Sequence, residues 1–158
     1  MKTTFITMIG VLSLLLNTSC KKQEAIATFD PVAAKAAIEE RSKDYVEAMN
    51  DKDSVGLANC YTKDAKFMQP NGKAIEGRAN IQKLFSQWMK AGMPQFAIQT
   101  IEVWGDDNTL TAEENWSFID ITGKTVDIGK SLELFKKEDG VWKLHRDCYN
   151  SDLPPAVK

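Results

Sequence analysis

The sequence predicts an α+β fold in which a curved antiparallel sheet wraps around helices from the N-terminal half. Three observations predict it. Apolar residues recur at three- and four-residue spacing in two long stretches before residue 91. After residue 95 the pattern changes to alternation, in successive runs divided by turn residues. Helices first and strands afterwards specify α+β rather than alternating α/β. Four hairpin-linked strands with helices on one side must curve around those helices to bury both surfaces.

The elements follow in order. Asp30 is a good N-cap and Pro31 fits a first helical turn. The helix they open runs to Asn50, with Ala34, Ile38, Arg41, Tyr45, Ala48 and Met49 on one stripe. The polar stretch 50–53 breaks it. A short second helix covers 54–60, with Val55 and Ala58 inward and Leu57 beside them. A short strand at 65–68 ends in the turn residues Gln69, Pro70, Asn71 and Gly72. Ala74 and Ile75 are a second extended piece. A third helix spans 79–90 with Ile81, Leu84, Phe85, Trp88 and Met89 on its apolar face, closed by Ala91 and Gly92. The strand over 96–104 alternates with one break in register. Those over 109–120, 126–137 and 141–150 follow, the last pair joined at Glu138, Asp139 and Gly140. Leu132, Leu134 and Phe135 are the apolar residues of the third of these strands, and Trp142 and Leu144 share one face of the last.

The chain has 158 residues, 43% hydrophobic and 27% charged, with a formal net charge of −2. That is a one-domain length and an ordinary globular composition. A mildly acidic chain without a basic stripe argues against nucleic acid as a partner. Lys2 precedes an apolar run over 5–16, right for a signal-peptide core and too short to cross a bilayer. Asn17, Thr18 and Ser19 then lead to Cys20. Small residues before a cysteine resemble a lipoprotein signal, which is cut before a diacylated cysteine; Asn17 stands where Leu is preferred, and Leu16 lies one place back. The expected organisation is a leader over 1–19, lipidated Cys20 and a polar tether over 20–29, a domain over 30–153 and a tail over 154–158. The membrane would be met through the lipid anchor alone, which puts the protein at the cell envelope. Of the other cysteines, Cys60 and Cys148, two small buried thiols are the preferred reading over a disulfide.

Several short motifs resemble the nuclear transport factor 2-like superfamily, which includes ketosteroid isomerase and SnoaL-like cyclases. They are Tyr45 and Ala48 before Asp51, Lys52 and Asp53; the run Tyr61 to Ala65; Pro70, Asn71 and Gly72; Ile75, Glu76, Gly77 and Arg78 with Ile81; Gly129 and Lys130; and the run Lys136 to Asp147. Tyr149, Asn150, Ser151 and Asp152 are similar to a SnoaL-like subgroup in particular. The resemblance implies a cone: three helices close one side of a strongly bent sheet around a mostly apolar cavity. It also implies a homodimer through the outer sheet face. Fold does not fix function in such a family.

Candidate site residues are those expected to face that cavity. Tyr45, Phe67, Trp88, Trp104 and Trp116 are the expected walls. Arg41, on the apolar stripe, needs a carboxylate partner or an anionic ligand, so a flat, partly apolar molecule with an acidic group is the expected ligand. His145 and Asp147 share a strand face by alternation, and Tyr149 continues it. They are a proton-transfer candidate with an orienting carboxylate, but Trp142 and Leu144 on the other face look more like core, so a bulge is required to turn His145 inward. Glu114 shares a face with Trp116 and Phe118 and could act as a base with a raised pKa, although a solvated edge position is the simpler expectation. Lys130 more simply snorkels outward. The base of ketosteroid isomerase follows the second helix; the nearest acid here is Asp64, which reads as a turn cap. One His and two scattered Cys build no closed metal site, and neither a phosphate loop nor a nucleophile elbow is present, so no metal or cofactor is expected. The sequence leaves three readings in this order: an envelope-anchored, small-molecule-binding protein without strong catalysis; a cofactor-free isomerase, cyclase or hydro-lyase using a pocket acid–base residue; and a dimeric interaction module.

Overall fold

A computed structural model describes residues 29–154. The expected leader, Cys20 and most of the expected tether lie outside the described residues. α1 (Pro31–Asn50) starts at the Asp-Pro pair: Asp30 Oδ1 accepts hydrogen bonds from the backbone N–H of Val32 at 2.9 Å and Ala33 at 3.1 Å, which satisfies two otherwise orphaned donors. Its buried stripe is Ile38, Ser42, Tyr45, Ala48 and Met49. α2 (Ser54–Asn59) is capped in the same way by Asp53. Leu57 and Ala58 fill its single inward face, and Val55, expected inward, is exposed.

β1 (Tyr61–Met68) begins four residues before the apolar run that predicted it, and β2 (Ile75–Glu76) pairs back on it. α3 (Arg78–Lys90) buries Ile81, Phe85 and Met89. The remaining strands are β3 (Gln95–Gly105), β4 (Thr109–Ile119), β5 (Thr125–Glu138) and β6 (Val141–Ser151). They form one six-stranded sheet in the order β2-β1-β6-β5-β4-β3. All its pairings are antiparallel except β1 with β6, which is parallel. Asp139 and Gly140, at φ 55° and 80°, make the β5–β6 turn, whose double left-handed geometry suits the twist of a tight hairpin. The sheet is curved and open, with α1 lying along β3, and α2 between α1 and α3.

Two bulges decide which side chains face inward. In β3 the pairing with β4 shifts between Thr100 and Glu102. Phe96, Thr100 and Val103 are therefore buried, while Trp104 is 41% exposed, which removes it from the expected cavity wall. In β6, Leu144 pairs with Phe135 but Arg146 pairs with Leu134, leaving His145 as the extra residue. The phase of the strand changes there, so Leu144 and Asp147 both point to the inner side, contrary to simple alternation. In β5 the inner residues are Gly129, Ser131, Glu133 and Phe135, so Leu132 faces outward and is 55% exposed.

A brace ties the start of α3 to β1 and to the end of β5, the two strands that flank β6. The Arg78 Nε donates to the Tyr61 carbonyl at 2.8 Å, and its guanidinium pairs with Glu138. Glu138 also accepts from the Lys63 backbone N–H at 2.9 Å. These bonds, the Arg78 one foremost, hold the Glu138 carboxyl down at about 2.

Candidate functional site

Inside the bend, aromatic side chains from five elements meet. Phe85 of α3 lies against Tyr45, Tyr61, Phe67 and Trp88, with ring centroids 5.2–6.5 Å apart. Tyr149 stacks on Phe67 at 5.3 Å and meets the edge of Trp116 at 5.7 Å. Trp116 can lie flat to the sheet because Gly129 is its neighbour across the strands: a Cβ there would overlap both the indole and the Asn150 carbonyl. Between these rings is a cavity of about 60 Å³ bordered by Tyr45, Phe67, Trp88, Trp116, Glu133 and Asp147. By that measure it has room for roughly four waters, or for the end of a small molecule.

The cavity floor is acidic. Asp147 is 4% exposed, and its Oδ2 accepts from the Tyr61 hydroxyl at 2.6 Å. The Tyr61 oxygen is 3.3 Å from that of Tyr45. Since Tyr61 donates to Asp147, Tyr45 is the donor of the second bond, and the three groups form a polarised chain. Burial pushes the Asp147 carboxyl up to about 7, against the lowering effect of the Tyr61 bond and with the Glu114 charge adding to it. Burial, helped by Glu114 and Asp147, also raises Glu133 well above its ordinary range. Glu133 pairs with Asp147 across β5 and β6 and accepts from the Ser131 hydroxyl at 3.0 Å. Tyr45 and Tyr61 are pushed up by burial first and by Asp147 next, so both remain neutral donors.

A second space of about 410 Å³ opens between α1, α2 and the start of β6. Tyr45, Ile98 and Glu133 border both spaces and form the partition between them. At the bottom of this cleft lies Glu114, fully buried, with Oε1 accepting from Ser42 at 2.8 Å and Thr100 at 2.6 Å.

Of the residues expected at a site, Tyr45, Phe67, Trp88, Trp116 and Asp147 come together around the inner cavity. Glu114 is buried rather than solvated at an edge, because β4 carries it on the face of Ala112 and Trp116. Arg41 is not a buried cation awaiting a ligand. It lies on the cleft, partly exposed, between Glu40 and Asp44 at 2.8 Å each, and Ser42 takes the inward place on the helix. His145 lines neither space. Its Nδ1 is 3.0 Å from the Thr62 hydroxyl and 3.5 Å from Asp64, and burial lowers its pKa; the bulge that admits Asp147 leaves the histidine on β1. Lys130 pairs with Asp152 at the surface. Cys60 and Cys148 are both free thiols. Cys148 is exposed on the outer face of β6, contrary to the expected buried thiol, and only Cys60 is partly covered. Glu133, Tyr61, Ser42, Thr100 and Ser131 were not anticipated. The cue for Glu133 is its position between Ser131 and Phe135 at period two.

The family model described as a SnoaL-like domain matches residues 43–145. No curated protein matches the chain. A ketosteroid isomerase-like protein from Erwinia carotovora atroseptica SCRI1043 is similar in structure, with a TM-score of 0.63 and 21% identity over 75% of this chain and 96% of that one. A domain of unknown function with a cystatin-like fold from Nostoc punctiforme PCC 73102 has a TM-score of 0.70 and 17% identity, over 80% and 82%. A protein of unknown function from Mycobacterium tuberculosis has 0.64 and 20%, over 77% and 73%. At these identities the likeness is one of fold.

Proposed function

We propose, from the premise that this chain belongs to the SnoaL-like domain family, that it takes a small, partly apolar molecule into its bend and exchanges a proton with it at Asp147, as a cofactor-free, isomerase-like catalyst. The observation that carries this reading is a buried carboxyl, bonded to Tyr61 at 2.6 Å on the wall of an aromatic cavity, where burial pushes it up to about 7. A base poised near neutrality is half ionised at working pH and can both take and return a proton. Glu133, held protonated beside it, is the group suited to donate to an oxygen on which charge develops. The second reading, binding without chemistry, is favoured by the small volume of the inner cavity.

The test uses small cyclic ketones in D₂O, followed by NMR. The protein is expected to speed deuterium entry at the carbon next to the carbonyl, with a rate that rises through about pH 7. Asp147→Asn should lower that rate by about 10²-fold or more, the usual contribution of a positioned general base. Exchange at the buffer rate with every ketone would leave binding without catalysis as the function.

Two further parts of the proposal concern placement and assembly. The protein is anchored at the cell envelope through Cys20, on the strength of the sequence signal alone. Cys20→Ala should leave the membrane fraction and lose acyl labelling; retention of both would remove the anchor. The protein is also a homodimer through the outer sheet face, supported by exposed Leu132, Ile128 and Trp104 there, which a monomer leaves in water. Leu132→Lys is expected to give a monomer by sedimentation, and a wild type that is itself monomeric at micromolar concentration contradicts the dimer.

A further inference from the structure

The geometry points to a second specificity: the 410 Å³ cleft is a binding site for a small apolar amine, whose ammonium sits on Glu114 and Glu133. It does not depend on Asp147 acting as a base.

The argument starts with one atom. Glu114 is fully buried, and its Oε1 is served by two hydroxyls, yet its Oε2 has no hydrogen-bond partner among the described residues. A buried carboxylate oxygen without a donor is costly, and such groups are normally satisfied. Glu114 lies at the bottom of the cleft in hydrogen-bond contact with the Glu133 carboxyl, whose own proton is the one donor within reach among the described residues, so an ammonium entering the cleft would replace that proton and meet both carboxyls.

The charge of the lining sets the sign of that donor. Asp44, Glu47, Asp51, Asp53 and Glu114 border the cleft, with Glu133 held neutral by burial beside them, against two cations, Arg41 and Lys143. Both cations are already engaged, Arg41 by Glu40 and Asp44 and Lys143 by Glu138 at 3.4 Å. A concave space lined mainly by one sign concentrates ions of the other. An acidic ligand, the expectation drawn from Arg41, would meet repulsion here.

The walls set the rest of the chemistry. Ile98, Phe135, Trp142 and Leu144 supply apolar surface above the carboxyls. That apolar lining suits a cation with a hydrocarbon part, and among the described residues no three His, Cys, Asp or Glu side chains converge as metal ligands. An ammonium brings three donors, enough for Glu114 Oε2 and Glu133 together, and its hydrocarbon part covers the walls. The volume falls in the range of small-molecule sites.

Benzylamine and benzyl alcohol, nearly identical in shape, test this on the ¹⁵N-labelled protein at neutral pH and moderate salt. Benzylamine is expected to bind saturably, about tenfold or more tighter than the alcohol, as a charge-assisted bond requires. It should shift the signals of Ser42, Thr100 and Glu114. Glu114→Gln should abolish the preference for the amine. Should that variant not fold, the two probes on the wild type decide alone. Equal affinities, no saturable shift at millimolar amine, or shifts confined to exposed Asp51 and Asp53 that vanish with salt would each overturn the assignment. Ketone exchange by the same protein is read separately. Exchange with no amine preference sinks this inference alone, and amine preference with no exchange sinks the proton-transfer reading alone.

Discussion

Phe85→Ala is expected to destabilise the protein by about 3–5 kcal/mol, the usual cost of removing a buried aromatic ring. Phe85 is 1% exposed and is the ring that Tyr45, Tyr61, Phe67 and Trp88 share. It therefore joins α3 to α1 and β1, and collapse of Tyr45 or Tyr61 into its place would break the Tyr45–Tyr61–Asp147 chain. Urea unfolding should show a lower midpoint with an unchanged slope. The vacated space adjoins the inner cavity, so the variant should also gain affinity for benzene-sized molecules. A loss below about 1 kcal/mol would mean that α3 does not pack into the bend of the sheet through Phe85.

The second large effect is on stability against pH. Asp147 titrates at about 7 in the fold and near 3.9 when unfolded. Between those values the folded chain holds a proton that the unfolded chain has released. The stabilisation is complete below about pH 4 and is lost as pH rises through 7. From pH 5 to pH 8 this one group should lower stability by about 3 kcal/mol, at about 1.4 kcal/mol for each unit up to its pKa. Glu133, raised by burial, acts in the same direction. His145, lowered by burial, acts in the opposite one, since a folded state that binds fewer protons gains as pH rises. Asp64, Glu76 and Glu138 are all lowered carboxyls, and their contribution changes only in more acid solution. Comparing the wild type with Asp147→Asn isolates the first contribution. Chemical denaturation at pH 5 and pH 8 should give a marked decline for the wild type and a much smaller one for the variant. Parallel declines would place the titration elsewhere.

How far the sequence could be read depended on how local each signal is. Asp30 with Pro31, the spacing of Ile81, Phe85 and Met89, and Asp139 with Gly140 each act within a few residues, and each element forms where that chemistry puts it. The break expected in the strand over 96–104 is the bulge at Ile101, but its consequence for Trp104 depends on which side of the break faces the helices. The same difficulty hid Asp147. Alternation linked it to His145 and set both opposite Leu144, and one extra residue in β6 reverses that for every position after it. A bulge is a property of two paired strands and leaves little trace in either alone. Glu133 was missed, and Glu114, though named as a candidate base, was read more simply as a solvated edge acid, for a different reason. Carboxylates are rarely buried without partners, so an acid within an apolar face reads as surface. Here the compensation comes from Ser42, Thr100 and Ser131, which reach those carboxyls only in the folded chain. Arg41 shows the converse: its place on the stripe suggested burial, and its neighbours Glu40 and Asp44 hold it at the rim.

The proton-transfer account rests on a single group, and the carboxyl ¹³C signal of Asp147, followed by NMR from acid to alkaline pH and assigned with Asp147→Asn, tests it most directly. The account predicts a midpoint at about 7, with the signals of Tyr61 and Glu133 moving along with it. A midpoint below about 5, within the ordinary carboxylate range, would contradict it.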